Sequence, residues 1–284
     1  MPTNGVKVFL SPASIDNHLL QLSSNGFSKN TVKAYGADLR CLRSSIEEQL
    51  SLVNGSRPDT WEGWERMVSQ YLNFHRRTWA PTTMNRKLGT IKGYASALGA
   101  VNFLGSYRRT RMSMAKPHPL PEGLAGVRRM QDFCLSPQHL ALVGLCGLVG
   151  LRVSEAVNVR PEHFDMTNMS LTVYGKGDRV RVVPVTEEAW RSLGYAYGQA
   201  LTKGTTLVQA SQSAARKAIT ILGERAGLSG RVSSHDLRAT LATSTYNRSH
   251  DIRAVQQILG HTSVVTTQVY IASTFDDMRK AMTA

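Results

Sequence analysis

Apolar residues recur at helical spacing through the first hundred residues of the chain. Val32, Leu39, Leu42 and Ile46 approximate one stripe of a helix, and Ser28 precedes them where a helix cap is expected, with Asn30 as the alternative cap. The same spacing and capping signals predict four helices in this half, at residues 12–23, 28–50, 60–78 and 81–99.

The fourth of these helices begins at Pro81, a residue that the first turn of a helix tolerates. Its buried side is predicted from its apolar spacing to consist of Met84, Leu88, Ile91 and Tyr94. The basic residues between them are expected to point outward: Arg86, Lys87 and Lys92.

Residues 124–284 are also mainly helical in pattern, with one exception. Residues 170–174 and 179–185 are short runs rich in branched residues, and Gly175-Lys176-Gly177-Asp178 between them predicts a hairpin with Lys176 at its tip. Thr186 is expected to cap the next helix. The other predicted helices are 136–149, 152–159, 211–226, 234–246, 250–259 and 263–273.

Three prolines divide the two periodic halves. Pro117, Pro119 and Pro121 lie in a basic segment that cannot continue a helix. We therefore predict a helical domain at 1–105, a basic proline-rich linker at 106–123 and a second domain at 124–284 that ends in a C-terminal tail. The expected fold class is mainly α with a small antiparallel β-sheet.

The charge of the chain points to a polyanionic partner. The 284 residues carry a net charge of +14, and no acidic residue lies between Glu65 and Glu122. Such a field favours nucleic acid, although a solvated basic surface or a site for anionic lipid would give the same composition. The side chains predicted to contact DNA are Lys33, Thr82, Thr83, Asn85, Arg86, Lys87, Lys92, Arg108, Arg109, Arg111 and Lys116.

Other sequence signals narrow the class of protein. No apolar run is long enough to span a bilayer, and the first residues lack the pattern of a secretory signal. Cys41, Cys134 and Cys146 form no close pair, so neither a disulfide framework nor a zinc site is indicated. A cytoplasmic, nucleoid-associated protein in a bacterial or phage-infected cell is expected.

Short motifs in the second domain carry candidate chemistry, and each also has an ordinary structural interpretation. Arg152 and Glu155, three residues apart, are typical of a surface ion pair. Lys176 between glycines is typical of a solvated turn. His235 and Arg238 share one face of a predicted helix, where both could reach one anionic group, but so short a motif also occurs by chance.

Two further motifs lie near the end of the chain. Leu259-Gly260-His261 could be a simple helix stop with Gly260 in a left-handed conformation. Tyr270 follows nine residues after His261, and a phenol held against phosphate can act as a nucleophile.

Taken in order, these residues resemble the signature of the tyrosine recombinase, or phage integrase, family. The segments GLRVSEA, YGKGDRVRVVPV, SSHDLRAT and LGHTSVVTTQVY match boxes of that family. Upstream, NTVKAY and PTTMNR are similar to its helical core-binding (SAM-like) DNA-binding domain. Ala239 stands where the family often has a histidine, a difference that bears on local packing rather than activity. The signature residues are Arg152, Lys176, His235, Arg238, His261 and Tyr270.

The resemblance implies a nucleophile and two cations. Tyr270 would attack the scissile phosphate, and Arg152 and Arg238 would stabilise the anionic transition state with guanidinium groups that match phosphate geometry. A phenol has a pKa of about 10, so the tyrosine needs the positive charge of these guanidinium groups to ionise at neutral pH. No metal or other cofactor is expected.

The remaining signature residues would handle protons and orientation. His235 would accept or shuttle the tyrosine proton, Lys176 would protonate the departing 5′ oxygen to give the 5′ hydroxyl, and His261 would hydrogen-bond a phosphate oxygen. Glu155 would orient the side chain of Arg152 or of His235 without contacting the phosphate itself.

By resemblance, the product is a 3′-phosphotyrosyl link that conserves the energy of the phosphodiester, so strand exchange needs no ATP. The expected partners are double-stranded core sites of phage or mobile-element integration or excision, bound by a homotetramer of chains that are monomers in solution. An accessory directionality factor is a further expected partner. The two domains would form a clamp on DNA, and the tail at 274–284 would dock on a neighbouring protomer.

Three alternatives remain open. A type IB topoisomerase uses similar groups, but residues 12–105 resemble the core-binding domain of recombinases. A non-catalytic DNA-binding regulator would explain the charge without requiring the signature residues. A metal-dependent nuclease would need a carboxylate cluster, which the sequence does not show.

Overall fold

The structure is a computed structural model, which describes residues 3–110, 118–175 and 179–260. The chain divides into two compact units, residues 1–113 and 114–284. This division falls within the segment where the sequence predicts a linker. No helix in the described ranges is both long enough and apolar enough to cross a membrane.

The first unit is built of helices. Their bounds are α1 Thr3–Val8, α2 Pro12–Ser24, α3 Lys29–Leu52, α4 Trp61–His75 and α5 Pro81–Ala97. Hydroxyl oxygens of Ser11, Ser28 and Thr60 accept backbone N–H groups at the starts of α2, α3 and α4. All four predicted helices are confirmed to within a few residues, with Ser28 as the cap of α3.

The short helix α1 was not predicted. It leads into Phe9, which is fully buried, with ring centroids 5.0 Å from Trp64 and 5.3 Å from Tyr94. Six helical residues are too few to show a periodic pattern, so only packing against α4 and α5 reveals this segment as part of the core.

The second unit is centred on α7. Residues Ala141–Gly147 of this helix are all buried, and α7 packs against α6, α9, α10 and α11. The helices of this unit are α6 Gly123–Asp132, α7 Pro137–Gly147, α8 Val153–Ala156, α9 Glu187–Lys203, α10 Gln212–Arg225, α11 Ser234–Ser249 and α12 Ile252–Leu259. Helix α6 was not predicted, and α8 is shorter than the predicted 152–159. The predicted helix at 263–273 lies outside the described residues.

The predicted hairpin is confirmed. Strands β2 (Ser170–Tyr174) and β3 (Val180–Pro184) pair antiparallel with Val173 opposite Arg181, and β1 (Phe164–Asp165) adds a short third strand beside β2. The fold is therefore mainly α with a small antiparallel sheet, as the sequence predicts.

Candidate active site

Three arginines that are distant in sequence meet at one carboxylate, Glu155. Arg152 donates from Nη1 to Oε1 at 3.0 Å, and Arg181 donates to both oxygens, at 3.0 Å from Nη1 and 2.8 Å from Nη2. Nη1 of Arg238 lies 3.8 Å from Oε2. The Glu155 side chain is only 4% exposed, so it is a buried counter-ion shared by all three cations.

The turn between α7 and α8 presents Arg152. Gly150 has φ of +81°, and a β-carbon there would lie 2.9 Å from Cδ2 of Leu241, so this turn requires glycine. Arg152 caps α8, and its backbone N–H donates to Oε2 of Glu155 at 2.9 Å. The Arg152 side chain remains 40% exposed. Arg152 thus stands at the edge of the cluster with its guanidinium open to solvent.

The Arg238 side chain, on α11, is more deeply buried than that of Arg152. It is 2% exposed, and its Nη1 and Nη2 donate to the carbonyl oxygens of Gly150 and Leu259, both at 2.5 Å. These bonds join the turn before Arg152 to the end of α12. Arg238 therefore holds the cluster together as well as adding charge to it.

His235 occupies a different environment from Arg238. It is exposed at the start of α11, where it lines an open groove of about 1060 Å³ together with the basic residues Arg216, Lys217 and Arg231. Helical spacing predicts a shared face for His235 and Arg238, but here one side chain is exposed and the other buried. A joint contact with one phosphate stays a prediction.

One end of the hairpin loop lies close to Glu155, and the end of α12 lies close to Arg181, which binds Glu155. A β-carbon built on Gly175 would lie 3.8 Å from Oε1 of Glu155, and one on Gly260 would lie 2.7 Å from Cδ of Arg181. Gly260 has φ of +62° at the end of α12, as expected for a left-handed stop. The predicted residues that follow these glycines, Lys176 and His261, lie outside the described residues, as does Tyr270.

Arg181 is the site residue that the sequence reasoning missed. Its side chain is 13% exposed, whereas its neighbours Val180 and Val182 are 57% and 63% exposed. On a strand, Arg181 shares a face with Val183 and Val185, which are buried. That alternation is a signal that could have found it, because a cation on the buried face of a strand needs a counter-charge.

Glu155 is strongly stabilised in its ionised form. Burial by itself would raise the pKa of this carboxyl. Hydrogen bonds from Arg181 and from the backbone of Arg152, with the charges of Arg181 and Arg238, instead lower the pKa from its ordinary 4.5 to about 2. The cluster therefore keeps its negative centre across the physiological pH range.

This depressed pKa predicts a specific loss of stability in acid. A carboxyl with a lowered folded-state pKa stabilises the fold above its unfolded pKa, and that stabilisation disappears as the pH falls from about 4.5 towards about 2. Between pH 5 and pH 3 we expect Glu155 to account for a loss of about 2 kcal/mol. Urea unfolding of wild type and Glu155→Gln at both pH values measures it. An equal loss in both proteins would contradict the assignment.

The residues predicted to contact DNA differ in their exposure. Those that are exposed are Lys33, Thr82, Arg86, Arg108 and Arg109, and those that are half-buried are Thr83, Asn85 and Lys92. Arg111 and Lys116 lie outside the described residues. The exposed set remains available for the predicted contacts with DNA.

The expectation that Lys87 points outward is wrong. It is 8% exposed, its Nζ lies 2.9 Å from Oδ1 of Asp38, and it sits 4.6 Å from the centroid of the Trp79 ring. Asp38 on α3 is itself buried and also pairs with Arg86. The basic stretch between Glu65 and Glu122 therefore has a buried counter-charge, and it comes from α3, 49 residues before Lys87 in the sequence.

Two other predicted DNA-contact residues bind the protein's own backbone. The side-chain amide of Asn85 donates to the carbonyl of Thr110 at 2.8 Å and accepts its N–H at 2.9 Å. Nζ of Lys92 donates to the carbonyl of Tyr107 at 3.3 Å. These bonds fasten the chain after α5 back onto that helix, so these side chains have a structural role, and their contact with DNA stays a prediction.

We expect Lys87→Ala to lower the free energy of unfolding by about 1–3 kcal/mol, because it removes one partner of a buried carboxylate. The matched control is Lys33→Ala at an exposed position, for which a change within about 0.5 kcal/mol is expected. Urea denaturation of both variants provides the comparison. Equal stabilities would show that Lys87 is not a structural cation.

The comparisons with known proteins agree on one family. Residues 127–277 match the model of the phage integrase family. Tyrosine recombinase XerC from Xylella fastidiosa (strain M23) is 30% identical over 278 residues, which cover 91% of each chain. Tyrosine recombinase XerD from Mycobacterium tuberculosis (strain CDC 1551 / Oshkosh) is 29% identical over 290 residues, covering 90% of this chain and 91% of the relative.

The fold is also shared with solved structures. The crystal structure of the XerH site-specific recombinase bound to its difH substrate, a pre-cleavage complex, superposes with a TM-score of 0.71 at 18% identity, covering 96% of this chain and 84% of that one. At this identity the likeness concerns the fold. The sequence matches carry the assignment further: the chain belongs to the phage integrase, or tyrosine recombinase, family of site-specific recombinase enzymes.

Proposed function

We propose that this chain cleaves and rejoins DNA at specific sites through a 3′-phosphotyrosyl intermediate, as a recombinase of the phage or mobile-element integration and excision type. The observation that supports this proposal is the cluster around Glu155. Arg152, Arg181 and Arg238 share that single carboxylate, so these four described side chains carry a surplus of two positive charges. An anionic phosphate is the ligand that such a surplus favours.

The exposed guanidinium of Arg152 is the proposed contact to the scissile phosphate. Arg152 makes one 3.0 Å side-chain bond to Glu155, and a guanidinium carries five N–H donors. Glu155 thereby orients the group while leaving its outer edge to a phosphate. Arg238 adds a positive charge from its buried position, and its bond to the Gly150 carbonyl fixes the turn that carries Arg152.

The proposed step balances as a transesterification. The Tyr270 oxygen attacks phosphorus as its proton passes to His235, and the bond from phosphorus to the 5′ oxygen breaks. The 5′ oxygen keeps that electron pair and takes a proton from Lys176, while His261 hydrogen-bonds a phosphate oxygen. The reverse reaction with a hydroxyl of a second duplex completes strand transfer. No metal or nucleotide enters this balance.

We further propose double-stranded core sites as the substrate, a homotetramer as the active assembly on DNA, and a monomer as the free form. In the first unit, the exposed residues Lys33, Thr82, Arg86, Arg108 and Arg109 are the proposed phosphate contacts. An accessory directionality factor is a further proposed partner, since the chemistry itself is reversible.

The test begins by selecting duplexes that the protein binds from a random-sequence pool. Selected sites are then nicked near their centre, so that the strand fragment released by cleavage diffuses away and the adduct accumulates. A denaturing gel, run with and without a chelator, and peptide mapping of the attached residue complete the assay. We expect a chelator-resistant adduct on Tyr270. An adduct on another residue, one that needs a divalent metal, or none on any bound duplex would overturn the proposal.

Exchange between intact duplexes separates the recombinase from a topoisomerase. Two duplexes of different length that carry the same selected site, without nicks, are incubated with the protein. A recombinase is expected to produce duplexes that combine one arm of each starting duplex. Relaxation of supercoiled DNA without such exchange would favour the type IB topoisomerase.

A further inference from the structure

Arg181 makes three bonds that connect two segments of the cluster. Two go to the Glu155 carboxylate, and the third runs from Nε to the carbonyl oxygen of Ile258 at 3.1 Å. All three acceptors lie around one planar guanidinium, a fork that matches a carboxylate bidentately. At 13% exposure, Arg181 is enclosed by these partners and presents little surface to a bound duplex.

These bonds connect the segments that carry the proposed catalytic groups. Arg181 lies on β3, opposite Val173 of β2, so it belongs to the hairpin whose loop contains Lys176. Ile258 is in the last turn of α12, two residues before Gly260, and a β-carbon on Gly260 would lie within 3.1 Å of three Arg181 atoms. Glu155 in turn binds Arg152.

We propose that Arg181 is a positioning residue for strand cleavage. It ties the base of the Lys176 hairpin and the end of α12, which leads to His261, onto the carboxylate that orients Arg152. Arg181 touches no reacting atom in this proposal and acts through the groups that it holds in place. The proposal deepens the proposed function and rests on it.

A lysine at this position cannot do the same. Its ammonium is a point donor on a flexible stem and cannot meet two carboxylate oxygens and a carbonyl in one plane. We therefore expect Arg181→Lys to keep the charge of the cluster and to loosen the base of the hairpin, and with it the lysine acid, from Glu155 and α12. A misplacement of about 1 Å in a catalytic group lowers a rate by about 100-fold.

The experiment measures single-turnover cleavage by Arg181→Lys on two versions of one selected site. One has the ordinary 5′ oxygen at the scissile position, and the other has a bridging sulfur. A thiolate leaves without protonation because its pKa is near ~8.5, so the sulfur substrate does not need the lysine acid. Lys176→Ala provides the reference for a chain that lacks this acid.

The matched control is Arg179→Lys, the same change two residues away at an exposed position of the same hairpin. Thermal unfolding and DNA affinity are recorded for every variant. Arg181→Met, which removes the charge but keeps much of the side-chain length, serves as a second variant if the lysine protein unfolds.

We expect Arg181→Lys to cleave the ordinary substrate about 100-fold more slowly than wild type, with DNA affinity within about twofold. On the sulfur substrate the deficit should shrink to about tenfold or less. Arg179→Lys should cleave the ordinary substrate within about threefold of wild type. Cleavage by Arg181→Lys within about threefold of wild type, or an equal deficit on both substrates, would overturn the proposal.

Failure of the proposed function gives a different pattern. If Lys176→Ala is not rescued by sulfur, the role assigned to Lys176 is wrong whatever Arg181 does. If wild type forms no adduct, the phosphotyrosyl mechanism itself fails. An Arg181→Lys variant that cleaves like wild type counts against the positioning role in every case. An unrescued Arg181→Lys counts against it when Lys176→Ala is rescued.

Discussion

Replacing Tyr270 with phenylalanine is expected to reduce the covalent protein–DNA adduct below detection. The variant lacks the hydroxyl that would attack phosphorus, and no rearrangement of a phenyl ring supplies a nucleophile. DNA affinity should stay within about twofold of wild type, because the arginines and the basic surface are unchanged. A denaturing gel with a nicked selected site measures the adduct, and a gel shift measures affinity.

The matched control for Tyr270→Phe is Tyr174→Phe. Tyr174 is 59% exposed and ends β2 beside Gly175, so it is an accessible tyrosine close to the Glu155 cluster. Its hydroxyl has no part in the proposed chemistry, and the variant should form adduct as wild type does. Adduct formed by Tyr270→Phe, or lost only in Tyr174→Phe, would assign the nucleophile to another residue.

Glu155→Ala is expected to lower the free energy of unfolding by about 3–5 kcal/mol, because the arginines lose their common counter-ion. Arg181 and Arg238 would keep their positive charges at only 13% and 3% side-chain exposure. In the fraction that stays folded, we expect cleavage to fall by about 1,000-fold, since Arg152 loses the group that orients it. Chemical denaturation and single-turnover cleavage measure the two effects separately.

Glu188→Ala is the control for burial. Glu188 also binds an arginine bidentately, at 2.7 Å and 3.2 Å to Arg128, but both side chains are largely exposed, at 41% and 55%. Removing an exposed pair changes stability by about 0–1 kcal/mol. If the two alanine variants lost equal stability, burial of the Glu155 cluster would not be what makes it important.

Much of the fold can be predicted because its signals are local. Ser28 and Thr60 cap helices through bonds to backbone three residues away, and the alternation of 170–174 with 179–185 is enough to predict a hairpin. The glycines at 150 and 260 mark helix ends through their own backbone conformation. Helix α1 was not predicted because it is stabilised by the packing of Phe9 against other helices, and Phe9 belongs to no helical pattern of apolar residues.

The site could be predicted only in part. Spacing placed Arg152 and Glu155 on one turn, and the structure confirms their contact at 3.0 Å. Spacing also put His235 and Arg238 on one face, yet burial separates their environments. Helical spacing determines on which side of a helix a side chain lies, but it does not determine how deeply that side chain is buried.

By itself, the sequence determined the helical and hairpin segments, the basic character of the chain and the set of motifs that resemble one family, because these depend on neighbours within a few residues. Only the tertiary structure decided which charges are buried. Lys87 pairs with Asp38 on another helix. Arg181 binds Glu155, 26 residues away in the sequence, and the carbonyl of Ile258, 77 residues away. A buried charge is tolerated only where folding brings a partner to it, so such pairings are set by long-range packing and not by local pattern.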